Sequence, residues 1–331
     1  MKKTILAAAV AAICAIPATS MAAPMVLKFS FVTSAQTPKG QAAAKFKAEA
    51  EKLLPGKVKV ELFPNSELFN DNKALAALAL GDVQFIAPSM SKLGKYTKKL
   101  QVFDLPFLFK DMNAVSRFEN GPMGRKLLHS MESRNYLGLA YWHNGLSELS
   151  ANKPLLKPSD AKGLKFRVQG SDIIASTFEQ IGANAQKLAF SEVYQALQVG
   201  TVNAQGNTWS NIYTKKFYEV QTDFTETNGR VVDYVVLVNA KWWKGLPPDI
   251  RSGLAKAMAI ATKTNNDNAD KLNAQAMKKI AAAPHVTIHH LTEAQHAAWV
   301  KAMHPVWKKF EGEIGKDVID AAVKSNEVMT H

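Results

Sequence analysis

The chain has 331 residues, 47% of them hydrophobic and 21% charged, a make-up that fits a folded soluble protein and excludes both a disordered chain and a membrane bundle. There are 41 Lys and Arg against 28 Asp and Glu, a formal net charge of +13, and the length allows two domains at ~150 residues each. The single cysteine excludes a disulfide framework and every cysteine-based structural metal site.

Lys2 and Lys3 precede an apolar run from Ile5 to Ile16, and Ser20 and Ala22 are the small residues that follow it. A basic start, an apolar middle and a small-x-small end predict a secretory signal peptide over 1–22, cleaved after Ala22. The run falls short of the ~20 residues of a membrane span. Cys14 follows Ile13 rather than a small residue, which argues against a lipoprotein site. Nucleic acid is a poor candidate partner for an exported protein, and the basic residues lie in scattered pairs such as Lys98-Lys99, Lys215-Lys216 and Lys308-Lys309. Such a surface attracts small acidic ligands.

From there the chain alternates strands and helices. Val26–Val32 reads as a strand. Thr37 caps a helix that opens on Pro38, where a missing N–H costs nothing, and ends near Leu54 before Pro55-Gly56. Lys57–Phe63 alternates polar and apolar residues as a strand does. A helix over Asp71–Leu80 stops at Gly81, and Val83–Ala87 is the next strand. This order predicts an open α/β sheet. A second set follows the Pro-rich stretch Lys153–Pro158: a strand at Leu164–Gln169, a helix at Asp172–Ile181 and a helix at Ser191–Val199 capped by Ser191. A short strand at Thr201–Gln205, a helix at Trp209–Val220 and an apolar strand at Val231–Asn239 complete it. Pro247-Pro248 then opens an uninterrupted helical stretch to about Ala283, ~50 Å long at ~1.5 Å per residue, long enough to run along both domains. His285–His290 reads as a strand, and Thr292 caps a helical C-terminal region.

No H-E-x-x-H, P-loop, dinucleotide fingerprint or G-x-S-x-G elbow occurs. His285, His289, His290, His296 and His304 cluster in sequence, but adjacent His289 and His290 would point to opposite faces of a strand, so no metal site is expected there. In Lys165-Phe166-Arg167-Val168-Gln169, Arg167 shares the polar face with Lys165 and Gln169. Pattern alone makes it a solvated strand residue, and the functional alternative is a guanidinium fork on a carboxylate in an interdomain cleft.

The run GLKFRVQGSDIIASTFEQIGANAQKLAFSEVYQALQVGTVNAQGNTWSNIYTKKFYEVQ at 163–221 resembles the signature region of the solute-binding proteins of tripartite ATP-independent periplasmic (TRAP) transporters. LKFSFVTSAQTPKG at 27–40, KVKVELFPNSELF at 57–69, FDLPFLF at 103–109 and YWHNGLSELSANKPLLKPSDAKGLKFR at 141–167 agree with it. The likeness covers essentially the whole chain after residue 22 and is strongest to the C4-dicarboxylate-binding DctP type.

The resemblance implies a two-domain α/β periplasmic binding protein fold with an interdomain ligand cleft and a long helix spanning both domains. The first domain would comprise 23–145 and 232–272, the second 146–231 and 273–331. The protein would work in the periplasm, closing on a small organic acid by hinge motion and delivering it to the small and large integral membrane subunits of a permease, with no cofactor, metal or catalysis of its own. By the same resemblance Arg167 is the principal carboxylate ligand, Asn207 hydrogen-bonds that carboxylate, Phe190 packs on the ligand's carbon skeleton and Trp209 walls the cleft. Lys39, Asn72 and Ser89 supply polar contacts from the first domain. Two positions depart from the family: Ser147 stands where relatives commonly carry Lys or Arg, and Gly206 where many carry Glu. The pair removes a cation and an anion together, with Lys39 or His143 as substitutes for the second carboxylate's anchor. A C4-dicarboxylate such as succinate, malate or fumarate is the first reading; a monocarboxylate hydroxy or oxo acid on the same fold, a signalling partner on the same fold and a secreted hydrolase are the alternatives.

Overall fold

Two β-sheets, joined by crossing segments and a long helix, organise residues 23–327, which are the residues described by this computed structural model. The signal peptide expected over 1–22 lies outside them. The first sheet contains β1 (Met25–Ser30), β2 (Val58–Phe63), β3 (Phe85–Ile86), β4 (Tyr136–Trp142) and β10 (Tyr234–Asn239), in the order β2-β1-β3-β10-β4. Strand β1 is parallel to β2 and β3, and β10 is antiparallel to β3 and β4. The second sheet holds β5 (Glu148–Ala151), β6 (Lys165–Val168), β7 (Asn184–Lys187), β8 (Ala204–Asn207), β9 (Asp223–Glu226) and β11 (Thr287–His290), ordered β11-β9-β5-β8-β6-β7. Helices cover these sheets, so β10 is buried at five of its six positions and reads as a nearly continuous apolar run. Around β1, Phe29 packs with Phe46, Phe85 and Trp142 at ring distances of 5.6–6.0 Å.

The caps expected from sequence form. Thr37 Oγ1 accepts from the Gly40 N–H at the start of the helix Pro38–Leu53, and Gly81 ends the helix Ala74–Leu80 at φ +86°. Thr292 and Gln295 make a reciprocal capping box on Glu293–Met303.

Other elements differ from expectation. The third strand shrinks to two residues, and the helix placed at Asp71 begins at Ala74. The segment at 191–199 is a 3-10 turn, Phe190–Glu192, followed by a helix at Val193–Gln198; Ser191 does not cap it, and the Glu192 carboxylate accepts from the Ala189 N–H at the start of the 3-10 turn. The strand placed at Thr201–Gln205 lies at Ala204–Asn207. The helix from Trp209 ends at Thr214, because Lys216 turns left-handed at φ +58°.

The long helix runs from Pro248 to Ala281. Its N-terminal half, with Leu254, Ala257, Met258 and Ala261, shares a core with Phe29 and Trp142; its C-terminal end, with Ala276 and Ile280, shares one with Phe217 and Phe224. It thus braces both sheets. At the crossing, Asn265, Asn266 and Asn273 hydrogen-bond the His143 carbonyl, the His143 N–H and the Asn144 carbonyl. Gly145 sits there at φ +123°, backbone that a side chain would strain. The last two helices, Pro305–Ile314 and Lys316–Lys324, bury Val306, Phe310, Val318 and Ala322 in the core of Phe103, Phe118 and Tyr141, on the side of the first sheet.

Candidate functional site: a cleft with buried cations

A small cavity lies between the two sheets. From the second sheet Arg167 on β6 reaches it. The polar face read from the sequence is solvated only at Lys165; Gln169 is buried, and Arg167, which lines the cavity with residues of the first sheet's side, is only 2% exposed. Its Nε and Nη2 both donate to the Leu188 carbonyl, at 3.2 and 2.9 Å, and its guanidinium lies 5.8 Å from the centre of the Phe190 ring. No carboxylate of the described residues comes within 4 Å of it. Burial brings its pKa down to about 10, against the pull of Asp71.

Asn207 ends β8 and is buried. Its Oδ1 accepts from Asn211 Nδ2 at 2.9 Å and from the Thr208 N–H at 3.0 Å, which leaves its own amide protons for a guest. Asn211 Nδ2 also donates to the Tyr234 hydroxyl at 3.1 Å. The other side of this chain of contacts is Lys39: its Nζ lies 3.5 Å from the Tyr234 ring centre and donates to the Ala87 carbonyl at 2.9 Å. Lys39 is fully buried, with no carboxylate of the described residues within 4 Å, and burial holds its pKa well below the usual lysine range. Ser89 lines the cavity and Phe190 closes one wall.

The cleft does not gather every residue named from the sequence. Asn72 is exposed at the cleft mouth, where its Oδ1 accepts from Lys92. Trp209 does not line the cavity; its ring packs 6.0 Å from Phe224 in the core beneath. Ser147 lies behind Arg167 in an adjoining space that it lines with Gly206 and Arg230. Arg230 is half-buried there, hydrogen-bonded to Gln169 and 3.8 Å from Asp104, so a cation returns to this neighbourhood from another strand connection. His143 is not in the cleft at all but at the crossing, against Glu119. Sequence reasoning missed Asn211, Tyr234 and Arg230. Asn211 was within reach, four residues after Asn207 and hence on the same face of a helical turn.

Polar contacts tie the two sides together across the opening: Lys92 Nζ donates to the Gln169 carbonyl at 3.2 Å and Gln101 Nε2 to Ser171 Oγ at 3.1 Å. A lidded anion pocket on two sheets is the arrangement of a binding protein. The profile of the DctP family, described as bacterial extracellular solute-binding protein, family 7, matches residues 29–313.

The chain belongs to this family.

Among DctP-family relatives, the C4-dicarboxylate-binding periplasmic protein DctP of Shewanella loihica is 48% identical over 99% of this chain and 97% of its own. A TRAP periplasmic solute-binding protein from Shewanella oneidensis, solved with bound succinate, superposes with a TM-score of 0.91 at 50% identity, covering 92% of this chain and all of that one. One from Pseudomonas aeruginosa, solved with bound L-malate, gives 0.85 at 44% identity over 86% of this chain and all of that one. The two-domain α/β binding-protein fold is therefore the fold of this DctP-family chain.

Proposed function

We propose that this protein is the solute-binding component of a TRAP transporter and captures a C4-dicarboxylate, such as succinate, malate or fumarate, between its two sheets. One observation carries the reading: Arg167, which lines the cleft, and Lys39, which lies against Tyr234 of its wall, are buried cations, and neither has a carboxylate of the described residues within 4 Å. A buried ion left unpaired is costly, and a dianion reaching both would supply the missing charges. The relatives solved with succinate and L-malate support this choice of ligand.

In this reading the first carboxylate takes the free edge of the Arg167 guanidinium and the Asn207 amide protons. The second lies toward Lys39 and Ser89, and Phe190 covers the carbon chain. Arg167 stands on a strand of the second sheet and Lys39 in the helix Pro38–Leu53 beside the first, so the ligand bridges two bodies, and closure around it is the capture step. The bodies would divide near 145 and 232, with the C-terminal helix pair travelling with the first. The chain acts in the periplasm after cleavage at Ala22, hands the closed complex to a small and a large membrane subunit, and catalyses nothing.

The test is calorimetric titration of the mature protein with succinate, L-malate, fumarate, lactate and butyrate. Dicarboxylates should bind at least about tenfold, or ~1.4 kcal/mol, tighter than monocarboxylates of similar size. Equal or tighter binding of the monocarboxylates would overturn the second anchor, and silence from all five would overturn the reading.

A further inference from the structure

Away from the cleft, three acid–base side chains meet where the chain crosses between the sheets. Glu119 sits in the last turn of the helix Met112–Asn120, His143 follows β4 directly and Asp233 precedes β10 directly. They are 4%, 5% and 1% exposed, and one donor atom from each lies within 4.8 Å of the other two. His143 Nε2 is 2.8 Å from Glu119 Oε2. Asp233 Oδ1 accepts from the Asn144 and Gly145 N–H groups at 2.7 and 3.1 Å.

The remaining carboxylate oxygens, Glu119 Oε1 and Asp233 Oδ2, are buried without a hydrogen-bond partner. No Lys or Arg of the described residues lies within 4 Å of either carboxylate. A neutral imidazole, two carboxylates and a doubly charged cation sum to zero. An open space lined by Ser116, Asn120, Arg125, Tyr141, Lys263 and Asn266 reaches Glu119. Asp267 lines the same space.

We propose that Glu119, His143 and Asp233 form a binding site for a divalent first-row metal ion, with one imidazole and two carboxylate ligands, clamping the two crossing segments to the helix Met112–Asn120. This donor set suits zinc, which takes His nitrogen and carboxylate oxygen at ~2.0–2.2 Å. The ion takes the place of the proton between His143 and Glu119 and draws in Asp233 Oδ2. It lies at the hinge and not in the cleft, so it stiffens the crossing without touching the organic acid. Because it uses groups outside the cleft, the site stands or falls independently of the proposed ligand.

The experiment is zinc titration of the chelator-treated mature protein, followed by calorimetry and thermal unfolding, with cobalt as a spectroscopic probe. The expected result is one zinc per chain, a melting-point rise of about 3–6 °C at saturation, and cobalt bands of a low-coordinate N/O site. His143→Gln and Asp233→Asn should each weaken binding by at least about tenfold; Glu119→Gln, the most conservative change, should do the same and serves if the other two do not fold. His289→Ala with His290→Ala, which removes two histidines paired with Asp223 and Glu226 on the second sheet, should leave binding intact. Absence of zinc binding at millimolar metal, or binding lost with His289 and His290 and kept without His143, would overturn the site. Organic-acid binding by the same samples reports separately on the cleft.

Discussion

In the cleft, the buried charges that lack partners are the cations Arg167 and Lys39; at the crossing between the sheets they are the carboxylates of Glu119 and Asp233. Both places hold buried charge short of one sign, yet they differ in what surrounds them. Arg167 lies on the second sheet and Lys39 in a helix beside the first, and polar contacts such as Lys92 to the Gln169 carbonyl cross the opening between the two sides. The acidic groups flank His143 and Asn144, whose backbone is pinned by Asn265, Asn266 and Asn273 of the long helix. A counterion arriving in the cleft therefore ties together bodies that can part, and one arriving at the crossing stiffens what is already held. An unpaired buried charge thus states the sign of what is missing, and its setting says whether supplying it moves the molecule.

The largest effect expected from breaking this contrast is at Arg167. Arg167→Ala removes one partner of a buried ion pair with the ligand, a change that costs about 2–5 kcal/mol, or roughly 30-fold to several-thousand-fold in affinity. The ligand-free variant should unfold at no lower temperature than the parent, since a desolvated cation has been removed. Calorimetry with succinate and a thermal melt read both sides; tight succinate binding by the variant would sink the assignment of Arg167.

Lys39→Met comes next and sharpens the comparison by charge count. It should weaken dicarboxylates roughly 10–100-fold, about 1.4–2.7 kcal/mol, and leave monocarboxylates nearly unchanged. Lys39 also carries a pH signature. Its folded pKa lies well below the usual lysine value, so the protonated form is disfavoured in the ligand-free fold, and a ligand carboxylate raises it again. Binding therefore takes up a proton once the pH exceeds the ligand-free pKa, and affinity falls as pH rises through the interval between the free and bound values. That alkaline decline should vanish in Lys39→Met; a decline of equal slope in both proteins would assign it elsewhere.

A smaller effect is expected at Glu148, a buried acid on the second sheet whose Oε2 accepts from the Thr227 and Asn228 N–H groups at 2.7 and 3.0 Å. Burial pushes its carboxyl up to about 8, with Glu226 adding to the rise. The folded state holds this proton more tightly than the unfolded chain, so stability is full below the ordinary carboxyl range and declines as pH rises from about 4.5 toward 8. Glu148→Gln keeps an oxygen for both backbone donors and removes the charge. Its melting temperature should therefore be about 3–6 °C above the parent's at pH 8 and equal to it near pH 4. Melts at the two pH values check this.

How much of this was legible depended on whether the deciding contacts are local. The helix Pro248–Ala281 announced itself through Pro247-Pro248 and the lack of any breaker, and the caps at Thr37 and Thr292 needed only their own turns. Arg167 on a polar strand face carried no local sign of burial, because the cavity it lines is completed by residues of the first sheet's side; only the resemblance of the surrounding run singled it out. Lys39, in the first turn of a capped helix, reads as a surface lysine until Tyr234 arrives from the far end of the chain to lie against it. The acid–base cluster is legible least of all, since its three members are scattered through the sequence and meet only where β4 and β10 lie side by side. Trp209 erred the other way: two residues after Asn207 it looks like part of the site, yet the start of the helix turns its ring into the core against Phe224.

The smallest effect is expected where sequence and structure disagree about a polar residue. Asn72 and Ser89 both stand where relatives supply contacts, but Ser89 lines the cavity and bridges Tyr234 through its backbone, whereas Asn72 is exposed at the mouth and touches Lys92. Surface substitutions away from specific features change free energies by no more than about 0.5 kcal/mol. Asn72→Ala should therefore shift succinate affinity by about twofold or less. Ser89→Ala, which deletes the hydroxyl of a residue lining the cavity, should cost about 1 kcal/mol. Side-by-side titrations decide the order. A larger loss at Asn72 would mean that the mouth takes part in holding the acid, and that the boundary of the site drawn from burial alone is too tight.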